Sequence, residues 1–299
     1  MSNFFAIIRH SFSYLIATSL IFSSFISSSL YAASSPTTAI TALDLPIAET
    51  LIELGVSPVI ISQRQSFNFW TGGTYELSKI IEAGSPLPNI ELLQQIRPTR
   101  TLLAPWQSNL EPRLASVSPV TIVDSYPYSG DGNLWERLLI FTYRLGQLVG
   151  QQGEVNHLIN QTDTHLDSLK ERLRNDGTPL LFVQLWGERH VRVFGENSLP
   201  QAVSQRLGID NAWHETTNQW GYSLVGIEAL LGIDARLVII SSRHPTDFEG
   251  QLTQNSMWQH LPSVRRGDFI VLPGTFWFAG GLPSAQRFAD ALVEAIDEP

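Results

Sequence analysis

Residues 154–174, EVNHLINQTDTHLDSLKERLR, run without a glycine or proline in the middle of the chain. Val155, Leu158, Ile159, Leu166, Leu169 and Leu173 recur at the helical period and fall on one face, with charged and amide side chains elsewhere. Gly153 precedes the segment and Asn175-Asp176-Gly177 stops it. The pattern predicts one helix about 32 Å long, close to the width of a lobe. A helix of that length is suited to act as a rigid strut between two halves of a protein.

Both sides of the strut alternate short apolar strands with helices. On the N-terminal side, a strand at 39–43 leads into a helix at 47–54 that ends at Gly55, and a strand follows at 56–61. The same alternation recurs with a helix at 89–96 and a strand at 101–104, and again with 114–117 and 120–123. On the C-terminal side, strands are expected at 180–185, 191–194, 237–241 and 269–272. Helices are expected at 199–207, from near Val225, and at 284–296. Such alternation predicts an α/β protein of two lobes, each a mostly parallel sheet with flanking helices and a core of its own. The expected organisation is a signal peptide at 1–32, a flexible Ser/Pro/Thr leader at 33–38, an N-terminal lobe at 39–150, the linking helix at 151–176 and a C-terminal lobe at 177–299.

The bulk numbers agree with two lobes. The chain has 299 residues, 43% of them hydrophobic and 16% charged, which is a folding composition. A net charge of −9 without a basic stripe argues against nucleic acid as a partner. Arg9 and His10 precede an uncharged, largely apolar run at 11–30, and Leu30-Tyr31-Ala32 or Tyr31-Ala32-Ala33 offers a small-residue cleavage site, which together read as a secretory signal. Its length would also serve an uncleaved anchor. The chain has no cysteine, which excludes disulfides, thiolate metal sites, cysteine nucleophiles and an N-terminal lipid-bearing cysteine. The simplest destination is the periplasm of a Gram-negative cell.

No nucleophile elbow, zinc-protease motif, phosphate-cradling loop or dinucleotide fingerprint is present. The seven histidines are scattered without metal-ligand spacing. Aromatic residues beside turn-forming neighbours are what stand out. Trp70 ends Phe67-Asn68-Phe69-Trp70, Trp106 lies in Ala104-Pro105-Trp106-Gln107, Trp220 in Asn218-Gln219-Trp220-Gly221, and Phe276-Trp277-Phe278 follows Leu272-Pro273-Gly274. Trp106 and the 276–278 cluster follow the carboxyl ends of expected strands, where open α/β sheets bind ligands. Core filling is the competing reading, closest for Trp70, Phe276 and Phe278.

With its two lobes and long helix, the chain resembles the substrate-binding proteins of siderophore, haem and cobalamin importers. The ferric-hydroxamate-binding members are most similar, above all over 194–231, FGENSLPQAVSQRLGIDNAWHETTNQWGYSLVGIEALL. The resemblance implies capture of an iron(III)–hydroxamate siderophore and delivery to an inner-membrane ABC permease by a monomeric, non-enzymatic protein. Iron would enter only as the ligand's chelate, with no cofactor and no protein metal site. Haem, cobalamin or a catecholate chelate is the alternative within this class, and an exported α/β hydrolase the alternative outside it.

By the resemblance, Trp220 takes the place of the second-lobe cleft tryptophan, Phe276-Trp277-Phe278 that of an aromatic trio, and Trp70 that of a first-lobe tryptophan. The family's cleft arginine falls at Ser85 and its cleft tyrosine at Gln107, next to Trp106. Arg64 and Arg243 are the candidates to replace the missing arginine. Glu111 and Glu228 match the acidic residues with which the two lobes dock on the permease.

Overall fold

The computed structural model describes residues 39–126, 132–174, 176–187, 189–241 and 257–297. The expected signal segment, the leader and Arg243 lie outside the described residues. Strands β1 (Ile40–Ala42), β2 (Val59–Ile61), β3 (Ile80–Glu82), β4 (Arg100–Leu103) and β5 (Val120–Ile122) form a five-stranded sheet in the order β3-β2-β1-β4-β5. Every pairing in it is parallel. The strand order reverses between β1 and β4, and such a switch point opens a crevice at the carboxyl ends of the strands.

The second sheet has the order β10-β9-β6-β7-β8, from β6 (Leu180–Trp186), β7 (His190–Phe194), β8 (Tyr222–Gly226), β9 (Arg236–Ile240) and β10 (Phe269–Leu272). β6, β9 and β10 run parallel, whereas β7 and β8 are antiparallel to their neighbours. β8 corrects the helix expected from near Val225. Tyr222-Ser223-Leu224-Val225 carries aromatic and β-branched residues suited to a pleat, and β7 offers it a free edge. Only a single 3-10 turn, Ile227–Leu230, follows.

The helices are α1 (Leu45–Glu53), α2 (Arg64–Trp70), α3 (Ile90–Ile96), α4 (Glu111–Leu114), α5 (Leu134–Val149), α6 (Gln152–Arg172), α7 (Leu199–Leu207), α8 (Pro262–Arg266) and α9 (Leu282–Asp297). The strut is α6, begun and ended two residues before the expected positions. Its buried stripe is Val155, Leu158, Ile159, Thr162, Leu166 and Leu169. It lies against α5, α7 and α9. Helix α5 was not expected from the sequence, although Asn133 and Glu136 form a reciprocal capping box at its start. At Gly146 of α5 a Cβ would stand 2.1 Å from Val155 of α6, so glycine is what lets the two helices approach.

The lobes do not keep separate cores, contrary to expectation. One apolar cluster joins Ile40, Val59 and Leu102 of the first sheet to Phe182, Phe194, Val238 and Leu272 of the second, through α1, α5, α6, α7 and α9. Smaller clusters back the outer face of each sheet. Polar links cross the same seam. Glu49 of α1 is fully buried and accepts hydrogen bonds from Ser284 Oγ at 2.9 Å and from Arg287 Nη2, both on α9. Arg287 Nε also donates to the Thr275 carbonyl at 2.8 Å. Tyr126, just past β5, donates its hydroxyl to the Asn197 carbonyl at 2.7 Å. The halves are thus joined by a common core with polar links across it.

Candidate functional site

A cavity of about 890 Å³ opens where the carboxyl ends of strands from both sheets meet. Asp44 follows β1, Ser62 and Gln63 follow β2, Trp106 follows β4, Trp186 closes β6, and Trp277 and Phe278 follow β10; all of them line it. The volume lies in the range of small-molecule sites, and so does the makeup of mostly apolar walls, rich in aromatic rings, with a few polar groups.

Aromatic rings of the two halves meet across the opening. Trp106 packs edge-on against Trp220 with centroids 5.1 Å apart, and Trp70 against Trp277 at 4.9 Å. Tyr126 lies nearly parallel to Trp220 at 6.0 Å and holds it from the side. The Trp220 backbone N–H donates to Asn218 Oδ1 at 2.9 Å, and Gly221 follows with φ +74°. A Cβ at Gly221 would lie 2.5 Å from the Asn197 carbonyl oxygen, so this turn fits glycine and sets the indole at the rim.

The expected site residues divide. Trp70, Trp106, Trp220, Trp277 and Phe278 share the cavity. Trp70 ends helix α2 instead of standing on a loop, because Gln63 turns the chain with φ +58° and α2 follows at once. Phe276 is buried in the core against Phe288, centroids 4.8 Å apart, and is not among the lining residues. Gln107 is spent on the backbone: Nε2 donates to the Leu43 carbonyl at 2.9 Å and Oε1 accepts from the Ala104 N–H at 3.1 Å. Ser85 is exposed and lines a smaller cleft of about 420 Å³ that shares Gln63 and Ser66 with the main cavity. Arg64 pairs with Glu82, Nε to Oε2 3.7 Å, and does not line the cavity. Glu111 and Glu228 are both exposed, at the start of α4 and in the 3-10 turn after β8.

The cavity does contain an arginine, from an unexpected strand. Arg192 of β7 lines the wall with its guanidinium carbon 3.8 Å from the Trp186 ring centroid, 4.9 Å from Tyr222 and 5.5 Å from Phe278. Nη1 donates to Gln184 Oε1 at 3.0 Å. Burial lowers its pKa, with Tyr222 opposing, but a guanidinium keeps its charge under such a shift. Placed over three rings and hydrogen-bonded to Gln184 and Tyr222, it is a preorganised cation whose five-donor fork exceeds what those partners use. Its sequence signal was Val191-Arg192-Val193, a charge alternating with buried valines and therefore on the opposite face of the strand.

Asp44 lies on the wall supplied by the first half. It is 6% exposed, and its Oδ1 has no hydrogen-bond partner. Burial pushes its carboxyl up to about 7, with Ser125 and the Ile47 N–H opposing the rise and Asp124 adding to it. Among the described residues no group of three or more His, Cys, Asp or Glu is placed to hold a metal ion. Among the described residues, the polar complement of the cavity is thus one cation, one titratable acid and a few amides and hydroxyls.

The chain is 28% identical over 260 residues, 86% of each protein, to the iron(3+)-hydroxamate-binding protein FhuD of Escherichia coli. It is 23% identical to the achromobactin-binding periplasmic protein of Dickeya dadantii, over 82% of each. The fold superposes on the Fe3+–Desferal-bound siderophore-binding protein FhuD of Vibrio cholerae with a TM-score of 0.77 at 21% identity, covering 87% of this chain and 98% of that one. Residues 40–275 match the model of the family described as periplasmic binding protein, and the chain belongs to that family.

Proposed function

We propose that the protein captures an iron(III)–hydroxamate siderophore in the cavity between its two sheets and delivers it to an ABC importer of the inner membrane. The observation that supports this most is the wall chemistry: aromatic rings from both halves, with one stacked arginine among them. Six hydroxamate oxygens satisfy ferric iron, a hard cation, so a receptor has no need to supply metal ligands. It needs apolar area for the chelate's hydrocarbon arms and a donor for its oxygens. Rings provide the first with little directional demand, which favours tolerance toward related chelates. Arg192 provides the second. The E. coli relative's name and the Desferal and ferrioxamine B ligands of the solved structures favour a hydroxamate over other chelates. Within this reading, residues 1–32 act as the export signal and the protein works in the periplasm as a monomer.

Five of the eight tryptophans line the cavity, so indole emission reads occupancy directly. Titration of the mature protein with ferrioxamine B should quench tryptophan fluorescence saturably, while the iron-free ligand should quench it far less. Equal indifference to both would remove the hydroxamate reading.

Delivery is assigned to Glu111 and Glu228, each exposed on a separate half. Single exposed charges contribute little to a static interface, but reversing both places like charges against a basic docking surface. The Glu111→Arg/Glu228→Arg protein should support iron uptake several-fold more weakly in siderophore-fed cells, although it still quenches on titration. Uptake at the unmodified level would dismiss the docking role.

A further inference from the structure

Asp44 is the one carboxylate among the described residues of the cavity wall. It ends the β1 connection and stands at the N-cap position of α1, yet its side chain makes no cap hydrogen bond. Its Oδ1 is buried without a partner. A cap needs no such arrangement, since an aspartate usually answers the N–H groups of the first turn. One carboxylate oxygen buried on a cavity wall without a donor costs folding free energy, which a ligand donor would offset. Across the cavity, on the other sheet, Arg192 supplies the opposite charge.

We propose that the cavity is charge-polarised and selects ferric hydroxamate chelates that carry a protonated amine, with Asp44 receiving the ammonium group while Arg192 faces the chelate oxygens. This rests on the hydroxamate reading above and specifies its substrate class. The ammonium N–H groups donate to the Asp44 carboxylate, completing the unpaired oxygen in a site shielded from water. A neutral chelate of the same shape fills the cavity and leaves Oδ1 of Asp44 without a donor.

The Asp44 carboxyl, pushed up to about 7, is largely protonated in mildly acidic solution and must release that proton before it pairs with an ammonium group. Asp124 acts in the same direction, and Arg144 acts on Asp124. Ser125 and the Ile47 N–H favour the ionised form. Preference for the amine-bearing chelate is therefore strongest above pH 7 and fades below it.

The test compares ferrioxamine B, which ends in a protonated primary amine, with its N-acetylated, uncharged counterpart. Binding of each is measured by calorimetry on the mature protein at pH 8 and pH 5.5, with wild type and with Asp44→Asn. Asparagine is as good a helix cap as aspartate, so the variant keeps the start of α1. At pH 8, wild type should prefer the amine by about tenfold or more, as expected for a charge-assisted hydrogen bond. The preference should shrink at pH 5.5 and fall to near unity in Asp44→Asn. Equal affinity of wild type for the two chelates at pH 8, or a preference that survives Asp44→Asn, overturns the assignment and leaves the hydroxamate reading standing. Failure of wild type to bind either chelate sinks both. The wild-type pH arm decides the matter even if the variant folds poorly.

Discussion

Glu49→Ala should lower the melting temperature more than any other single change outside the apolar core. Glu49 is wholly buried between the halves and accepts from Ser284 and Arg287 of α9. Burial raises its carboxyl pKa above the usual carboxylate range, and the Arg287 charge pulls back without cancelling the rise. The pair is therefore no large net stabiliser, because desolvation absorbs much of the attraction. Breaking it is another matter. The alanine variant leaves Arg287 with the Thr275 carbonyl and the Ser284 hydroxyl as its remaining partners in the seam. Removing one member of a buried pair costs about 3–5 kcal/mol, and the Arg287 side chain, 16% exposed, places this one near the lower end. For a chain of this size that corresponds to a loss of roughly 6–12 °C in melting temperature.

Glu49→Gln should cost much less, since it keeps the shape and an acceptor for Ser284. The double change Glu49→Leu with Arg287→Met should recover most of the loss, because no charge is then left alone. Calorimetric melts of the three variants check this. Additive losses in the double variant would mean that the two residues act independently and do not form a clamp. Faster amide exchange in α1 and α9 of Glu49→Ala, with the outer sheet faces unchanged, would place the loosening at the seam.

The seam is also where sequence reasoning falls short. Periodicity reports whether a helix has an apolar face, not what that face meets. The stripe on 154–174 therefore gives the strut within two residues but leaves open that α5, α7 and α9 cover it. Nothing local to Glu49 marks it as buried. Its partners are more than two hundred residues away, on a helix recognisable only as amphipathic. Residues 222–226 show a different limit: five residues with a glycine fit a short strand or the start of a helix, and the antiparallel edge of β7 decides between them.

In the site, position relative to strand ends carried more information than residue type. Trp106, Trp220, Trp277 and Phe278 follow from aromatic residues placed among turn formers, and all four line the cavity. Phe276 does not, although it adjoins Trp277, because the chain bends at Phe276 and turns again at Phe278, which sends the Phe276 ring into the core against Phe288 while both neighbours line the cavity. Gln107 illustrates a similar failure. A polar residue one step from a cleft tryptophan can be consumed by the backbone that positions that tryptophan, as its bonds to Leu43 and Ala104 do here. Asp44, Gln184 and Trp186 obey the same strand-end rule, but each is set in or beside an apolar run and not among turn formers, so nothing local sets it apart.

Arg192→Gln should weaken ferrioxamine B binding by about one to two orders of magnitude, the worth of a charged hydrogen bond together with the lost cation–π contacts. The expectation follows from the site's accounting of charge. The position matching the family's cleft arginine is Ser85, which is exposed in the smaller cleft. Arg64 is engaged with Glu82 and does not line the cavity. Arg192 is the basic residue among those lining it, and it comes from the opposite sheet. Glutamine keeps a donor and much of the length, so the loss measures charge and planarity more than volume. Arg192→Lys separates these two. Lysine restores the charge but cannot stack flat on Trp186 or present a fork of donors, so it should recover only part of the affinity. Melting temperatures should move little in either variant, because the Arg192 guanidinium has the Gln184 amide as its polar anchor in the fold. If both substitutions bind as wild type does, the chelate oxygens face another part of the wall. If both lose affinity in proportion to a fall in melting temperature, Arg192 holds the aromatic wall in place and does not meet the ligand.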